Sequence, residues 1–262
     1  KYGNARFYSY GKLRYRPKVL LQAIFINRGD LFSALNRART YRYLSKFGVF
    51  KYPNIEYQVH EQDSSLTANI KLSPRKKYGL GFDVDISQSN IQSVGFSFNT
   101  SLLIRNIFRG AETLEISALG AIGASKDGSN SDQFFDINEL GVNTKLTIPR
   151  FFFPFNTEKI IPKYMSPITR LSLGFTSQTN IGLDKQTVNG IFNYNWNPSG
   201  TVTNNLDLFN IQYVRNLNTV ENISKIIIGN GTTSKKIKEK LGFFEKEIIT
   251  FEEKNTTFRA KE

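Results

Sequence analysis

Between residues 78 and 216, apolar side chains fall on alternate positions in one long segment after another. YGLGFDVDIS (78–87) puts Tyr78, Leu80, Phe82, Val84 and Ile86 on one face and Gly79, Gly81, Asp83 and Asp85 on the other. VGFSFNTSLLI (94–104) repeats the pattern with Val94, Phe96, Phe98, Leu102 and Ile104. RNIFRGAETLEISALGAIG (105–123) turns through Arg109 and Gly110, then runs Leu114, Ile116, Ala118, Gly120, Ile122. INELGVNTKLTIP (137–149), TRLSLGFTSQTN (169–180), TVNGIFNYNWN (187–197) and NLDLFNIQYVRN (205–216) continue the series. A period of two is that of a strand, and the polar stretches between segments recur at hairpin spacing. The pattern predicts about seven consecutive antiparallel strands.

These segments are about 10–14 residues long, nearer the length that crosses a bilayer at a tilt than the typical five or six. Their second face is small and polar, rich in Gly, Ser, Asn, Thr and Asp. A soluble β-sandwich is the competing reading, although its strands are shorter and its outer face more charged. No apolar run reaches the length of a membrane-crossing helix, which a transmembrane barrel does not need.

With 262 residues, 39% hydrophobic and 22% charged, the chain is long enough for a real core. There is no cysteine and one histidine, His60, which removes disulfides, Cys-based zinc sites and His-rich metal sites. No cofactor motif is visible. KYGNARFYSY, the first ten residues, lacks the apolar stretch of a signal peptide. Net charge is +13 and uneven: KLRYRPK, NRARTYR and SPRKK lie in the first 80 residues, and SKKIKEK lies near the end. Such charge suits nucleic acid or an anionic membrane surface. YRYLSKF interleaves basic and aromatic residues, but its aromatics fall on the expected buried stripe, so no nucleic-acid partner is expected.

Residues 1–73 read as mixed α and β. NARFYSYGK (4–12) is a first strand, and Pro17 opens a helix over 16–25. Gly29-Asp30 turns the chain and Ser33 caps a second helix, in which Leu35, Ala38, Tyr41, Leu44 and Phe47 form one stripe until Gly48 ends it. Val49 and Phe50 return to the core. NIEYQV (54–59) and LTANIKL (66–72) alternate around a polar loop and make a hairpin. The order is β-α-α-β-β.

GDLFSALNRARTYRYLSKFGVFK (29–51), the hairpin running to LSP, and the turn in NIFRGAETLEI (106–116) occur in that order. In this order the chain resembles the Omp85 superfamily of outer-membrane assembly and translocation factors over roughly residues 4–216. The resemblance implies a periplasmic POTRA domain at 1–73, a junction at 74–77 and the first strands of an antiparallel transmembrane β-barrel at 78–218, with an atypical charged tail at 219–262. It implies no enzyme chemistry and no cofactor or metal. The implied partners are unfolded outer-membrane proteins, the lipid bilayer and accessory assembly subunits. The edge strand Asn54, Ile55, Glu56, Tyr57, Gln58, Val59 would pair with an incoming extended chain. The seam strand Tyr78, Gly79, Leu80, Gly81, Phe82, Asp83, Val84 would template a client strand. Asn106, Arg109, Gly110 and Glu112 form the family's turn motif, and Phe96, Phe98, Leu102, Ile104, Leu114 and Ile116 face lipid. Gly79 and Gly81 leave the backbone approachable, or simply relieve crowding inside a curved barrel.

Family barrels have sixteen strands, which at about 20 residues each need more than about 300 residues. Fewer than 190 follow the junction, and no late Arg-Gly-aromatic motif or terminal aromatic strand is found. The expected barrel is therefore incomplete, half of a split barrel, or an eight-stranded closed one. A passive porin or anchor barrel is the alternative function, and a non-functional fragment a further one. His60, beside Glu61 and Asp63, reads as a solvated loop residue, and Asp83 with Asp85 as lumen charge rather than a catalytic pair. Tyr194, Trp196, Phe151, Phe152, Phe153 and Phe155 are candidates for an interfacial aromatic girdle or for core packing. Arg75-Lys76-Lys77 suits either anionic headgroups or solvent. The charged tip of the 105–112 turn is expected to stay in water, with Arg109 and Glu112 as turn and rim residues.

Overall fold

The computed structural model describes residues 5–62, 64–89, 92–125, 135–155, 157, 159–180, 183–199 and 201–217, so the charged tail lies outside the described residues. An N-terminal unit comprises α1 (Pro17–Gln22), α2 (Ala34–Lys46), β1 (Asn54–His60) and β2 (Ser65–Lys71). Pro17 sits in the first turn of α1, where its missing N–H costs nothing. Ser33 caps α2 by accepting from the Asn36 amide at 3.2 Å, and Gly48, at φ 68°, turns the chain out of the helix.

The core of this unit is aromatic. Tyr15, Leu20, Tyr43, Leu44, Phe47 and Phe50 are buried, with Tyr15 and Phe50 rings 4.9 Å apart. Thr40, fully buried, is satisfied on both sides: its Oγ1 accepts from the Phe25 amide at 3.0 Å and donates to the Asn36 carbonyl at 2.8 Å.

Two expectations fail here. The α2 stripe is Thr40, Tyr43, Leu44 and Phe47, while Leu35 and Tyr41 are 59% and 48% exposed. Steps of three residues fall about 60° short of a full turn each, so a stripe drawn through five of them winds off the buried face. The strand expected at 4–12 does not form over the described residues 5–12, of which Ala5 alone is in an isolated bridge. Only Phe7 packs against the core; Tyr8 and Tyr10 are exposed, and Gly11 at φ 86° bends the chain. Without that first strand, the β-α-α-β-β order is reduced to two helices and a β1–β2 hairpin.

The remainder is one seven-stranded antiparallel sheet in sequence order. Its strands are β3 (Tyr78–Ser87), β4 (Gln92–Arg105), β5 (Thr113–Ser125), β6 (Ile137–Ile148), β7 (Ile168–Asn180), β8 (Leu183–Trp196) and β9 (Asn204–Leu217). All seven expected strands are present at hairpin connections. The sheet is open: among the described residues β3 pairs only with β4, and β9 only with β8. Among the described residues, therefore, no closed eight-stranded barrel forms. In a meander of seven strands the first and last run the same way, so joining β3 to β9 directly would require a parallel pair, whereas antiparallel closure requires an even number.

The register aligns the alternation across the whole sheet. One row runs Tyr78, Ile104, Leu114, Leu146, Leu171, Phe192, Phe209; the next runs Leu80, Leu102, Ile116, Thr144, Leu173, Gly190, Ile211. A third runs Phe82, Thr100, Ala118, Val142, Phe175, Val188, Tyr213. From Tyr78 to Ile86 the apolar face extends about 26 Å along β3 at about 3.3 Å per residue. The first row enters β9 at Phe209, not at its first residue Asn204. That slip of about five residues over six strand spacings of about 4.8 Å is a tilt of about 30°, close to that of barrel strands.

Candidate functional site

The 105–112 turn, which breaks the alternation, lies at the junction of the two parts of the fold. It closes on itself through the Asn106 amide, which donates to the Glu112 carbonyl at 2.6 Å. Three non-glycine residues in it, Asn106, Arg109 and Ala111, take φ of 57°, 64° and 63°. The left-handed conformation costs about 1–2 kcal/mol for a residue with a Cβ, less for Asn, and persists only where surrounding bonds enforce it.

Those bonds are present. Glu112 is 1% exposed, with one carboxylate oxygen accepting from the Gly110 amide at 2.8 Å and the other from Arg150 Nη2 at 3.0 Å. Asn106 Oδ1 accepts from the Ala111 amide at 3.1 Å. A Cβ on Gly110 would stand 2.1 Å from the Glu112 carboxylate, which its two bonds hold in place, so only glycine fits. The charged tip divides: Arg109 is exposed as expected, but Glu112 leaves water, because neutralisation by Arg150 and a backbone donor replaces its hydration.

The outer side of the turn grips the N-terminal unit by backbone groups. Asn106 Nδ2 donates to the Arg14 carbonyl at 3.0 Å, Arg109 Nη2 donates to the Leu13 carbonyl at 3.0 Å, and the Arg16 amide donates to the Arg109 carbonyl at 2.8 Å. Ala111, 1% exposed, belongs to the core of that unit. Further ties reach other strand ends: Lys163 Nζ donates to the Ile24 carbonyl at 2.9 Å, and Lys46 Nζ to Asn197 Oδ1 at 3.2 Å. Burial, and then neighbouring Arg42, hold the Lys46 pKa below the ordinary lysine value. All four motif residues, Asn106, Arg109, Gly110 and Glu112, are thus brought together as one latch. Sequence reasoning missed its partners, Leu13, Arg14, Arg16 and Arg150; the only signal was a conspicuous loss of alternation over 105–112.

Of the four strand edges open among the described residues, on β1, β2, β3 and β9, two are those expected to receive a client. β1 pairs only with β2, Asn54 opposite Lys71 through His60 opposite Ser65, and its other edge is unpaired. Ile55 is buried and the Tyr57 ring meets Phe32 edge-on at 5.1 Å, so one face of β1 is anchored while Asn54, Glu56, Gln58 and Val59 are exposed. Glu56 pairs with Lys71 at 2.7 Å; that hydrogen bond, and then the lysine charge, hold its carboxyl below the ordinary range. The second of the two is β3, whose Leu80, Phe82 and Val84 are 63–70% exposed. A Cβ on Gly81 would lie 2.6 Å from Ser101 Oγ and one on Gly79 3.3 Å from Arg105 Nη1, so cross-strand crowding acts at both glycines.

Phe96, Phe98, Leu102, Ile104, Leu114 and Ile116 share the apolar face with β3's Tyr78, Leu80, Phe82, Val84 and Ile86. At its latch end this face is roofed by the loop after β6: the Phe151 ring stacks on Tyr194 at 4.1 Å and meets Trp196 at 6.4 Å, and Tyr194 Oη donates to the Phe152 carbonyl at 2.8 Å. Phe153 and Phe155 extend the cluster outward. The opposite face is polar, with Lys145–Glu115 at 3.2 Å and Asn193 Nδ2 donating to Asp207 at 2.6 Å. Asp83 and Asp85 lie on this polar face, exposed. His60 Nε2 lies 2.9 Å from Thr67 Oγ1 in an exposed position; Asp63 lies outside the described residues. Among the described residues no group of His, Asp and Glu has the makings of a metal site. Compared with known proteins, the chain matches no family model and no curated sequence.

Proposed function

We propose that this chain is the membrane-proximal part of an outer-membrane assembly factor of Omp85 type, its N-terminal unit a POTRA domain and its sheet the early strands of a transmembrane barrel. Unfolded barrel proteins add by backbone pairing to β1 and then to β3, whose free N–H and C=O groups accept many sequences. The client's own folding in the bilayer drives the process, so no nucleotide, cofactor or catalytic group takes part.

The observation that carries this reading is the latch: the turn motif behind the resemblance is the element that fastens the N-terminal unit to the sheet. The continuous apolar face supports a bilayer setting. A bare apolar face of this size, some 26 Å deep along β3, is not left to water in soluble proteins.

Photo-cross-linking tests it. A photoreactive residue at Gln58 or Asp83 of the full chain should capture nascent barrel proteins, while one at Leu140, in the interior strand β6, should not. Absence of adducts at both edges, as a passive porin would give, refutes the assembly function.

A further inference from the structure

Residues 1–77 hold sixteen Lys and Arg against four Asp and Glu, a net +12 of the chain's +13. The fold brings that charge to one end of the sheet. The Arg39 guanidinium lies 5.5 Å from the centre of the Tyr164 ring, just before β7, and Lys46 reaches Asn197, just after β8. Arg42 falls between them on α2, one turn from each, and is exposed. Lys76 and Lys77 are exposed immediately ahead of Tyr78, the first apolar residue of β3, with Lys77 Nζ 5.4 Å from that ring's centre. Glu112, the one carboxylate in the latch, is buried and already neutralised by Arg150. At the far end of the sheet the balance reverses, with Asp85, Asp136, Glu139 and Asp184 against Lys185 and Arg215.

From this placement we propose that the latched end is a docking surface for anionic phospholipid headgroups, engaged by Arg42, Lys76 and Lys77. The proposal rests on the apolar face spanning a bilayer. It follows from continuity: the cations begin where the apolar rows end, beside the aromatic cluster of Phe151, Tyr194 and Trp196, which is the level of the headgroups. Each cation at an anionic surface strengthens binding about fivefold, and the gain fades with salt. The sheet itself fixes Lys76 and Lys77, whose carbonyls accept from Arg105 at 3.1 and 2.8 Å, and the latch brings Arg42 of the N-terminal unit to the same end.

The single tryptophan, Trp196, reports on this end of the sheet. With the full chain in zwitterionic detergent micelles, short-chain phosphatidylglycerol should produce a saturable change in its fluorescence. Phosphatidylcholine should not, and inorganic phosphate should be at least about tenfold weaker. Removing two cations at the docked end, in K76Q/K77Q, should weaken half-saturation on the order of 25-fold. Removing two at the far end, in K185Q/R215Q, should leave it within about threefold. Equal responses to the two phospholipids, phosphate matching phosphatidylglycerol, or equal losses in the two double variants would overturn the proposal. So would duplex DNA competing as strongly as the lipid. Loss of client cross-links with this titration intact would refute the assembly function and leave the headgroup surface standing.

Discussion

Replacing Glu112 by alanine tests whether the latch is what holds the N-terminal unit to the sheet. The change leaves the Gly110 N–H without its acceptor in a buried turn, and Arg150 without its counter-charge. Breaking a fully buried pair costs about 3–5 kcal/mol. The Arg150 side chain is 27% exposed and recovers part of its hydration, so about 2–3 kcal/mol is the expected loss. The strained backbone at Asn106, Arg109 and Ala111 is then no longer over-determined, and local opening becomes about 30- to 150-fold more frequent. Amide hydrogen exchange of the full chain in detergent or vesicles reads this directly. The Arg16 amide, bonded to the Arg109 carbonyl, should lose protection by that factor, together with the amides of Asn106, Gly110 and Ala111. Amides in β7 and β8 should be unaffected. Glu112→Gln keeps one good acceptor but no charge and should fall between wild type and Glu112→Ala. Unchanged protection at Arg16, or an equal loss across all seven strands, would refute the latch.

Three other outcomes are expected. Asn106→Ala removes one bond to the Arg14 carbonyl and one from the Ala111 amide while keeping a left-handed φ, and should destabilise docking by about 2 kcal/mol; Asn106→Gly should cost less, since glycine relieves the strain, and thermal unfolding followed by Trp196 fluorescence would rank them. Because the Glu56 pKa is lowered on folding, its pairing with Lys71 supports the hairpin fully above the unfolded value of about 4.3 and is lost as pH falls through the lower folded value. Exchange rates of the β1–β2 amides measured down through that window should rise, and Lys71→Met should remove most of the dependence, leaving the smaller part due to the Asn54 hydrogen bond. In vesicles, Phe175→Arg, in the middle apolar row, should cost about 2–4 kcal/mol of urea stability, whereas Thr176→Arg on the polar face should cost under about 1; equal tolerance would argue against lipid on the apolar side.

The sequence by itself determined the seven strands, their faces and the hairpin, because alternation is a local property that each strand carries in its own residues. Phe96, Leu102 and Ile116 could be assigned to one face from spacing alone, and the pairing register then confirmed that they share it. Helix ends were equally legible at Ser33 and Gly48, where capping and a left-handed φ are written in single residues. The α2 stripe was not, since three-residue steps imitate helical spacing for only a turn or two. Nor was the lack of a strand over the described residues 5–12, where Tyr8 and Tyr10 are both exposed. Whether the sheet closes was not local either; it depends on which strand stands next to β3 and β9, and the described residues leave both edges open. The largest reversal is Glu112. Its charge, read in isolation, belongs in water, because a carboxylate's desolvation is repaid only by partners distant in sequence. Arg150 from the loop after β6, and the 13–16 segment that locks the turn from outside, reach it only once the chain has folded.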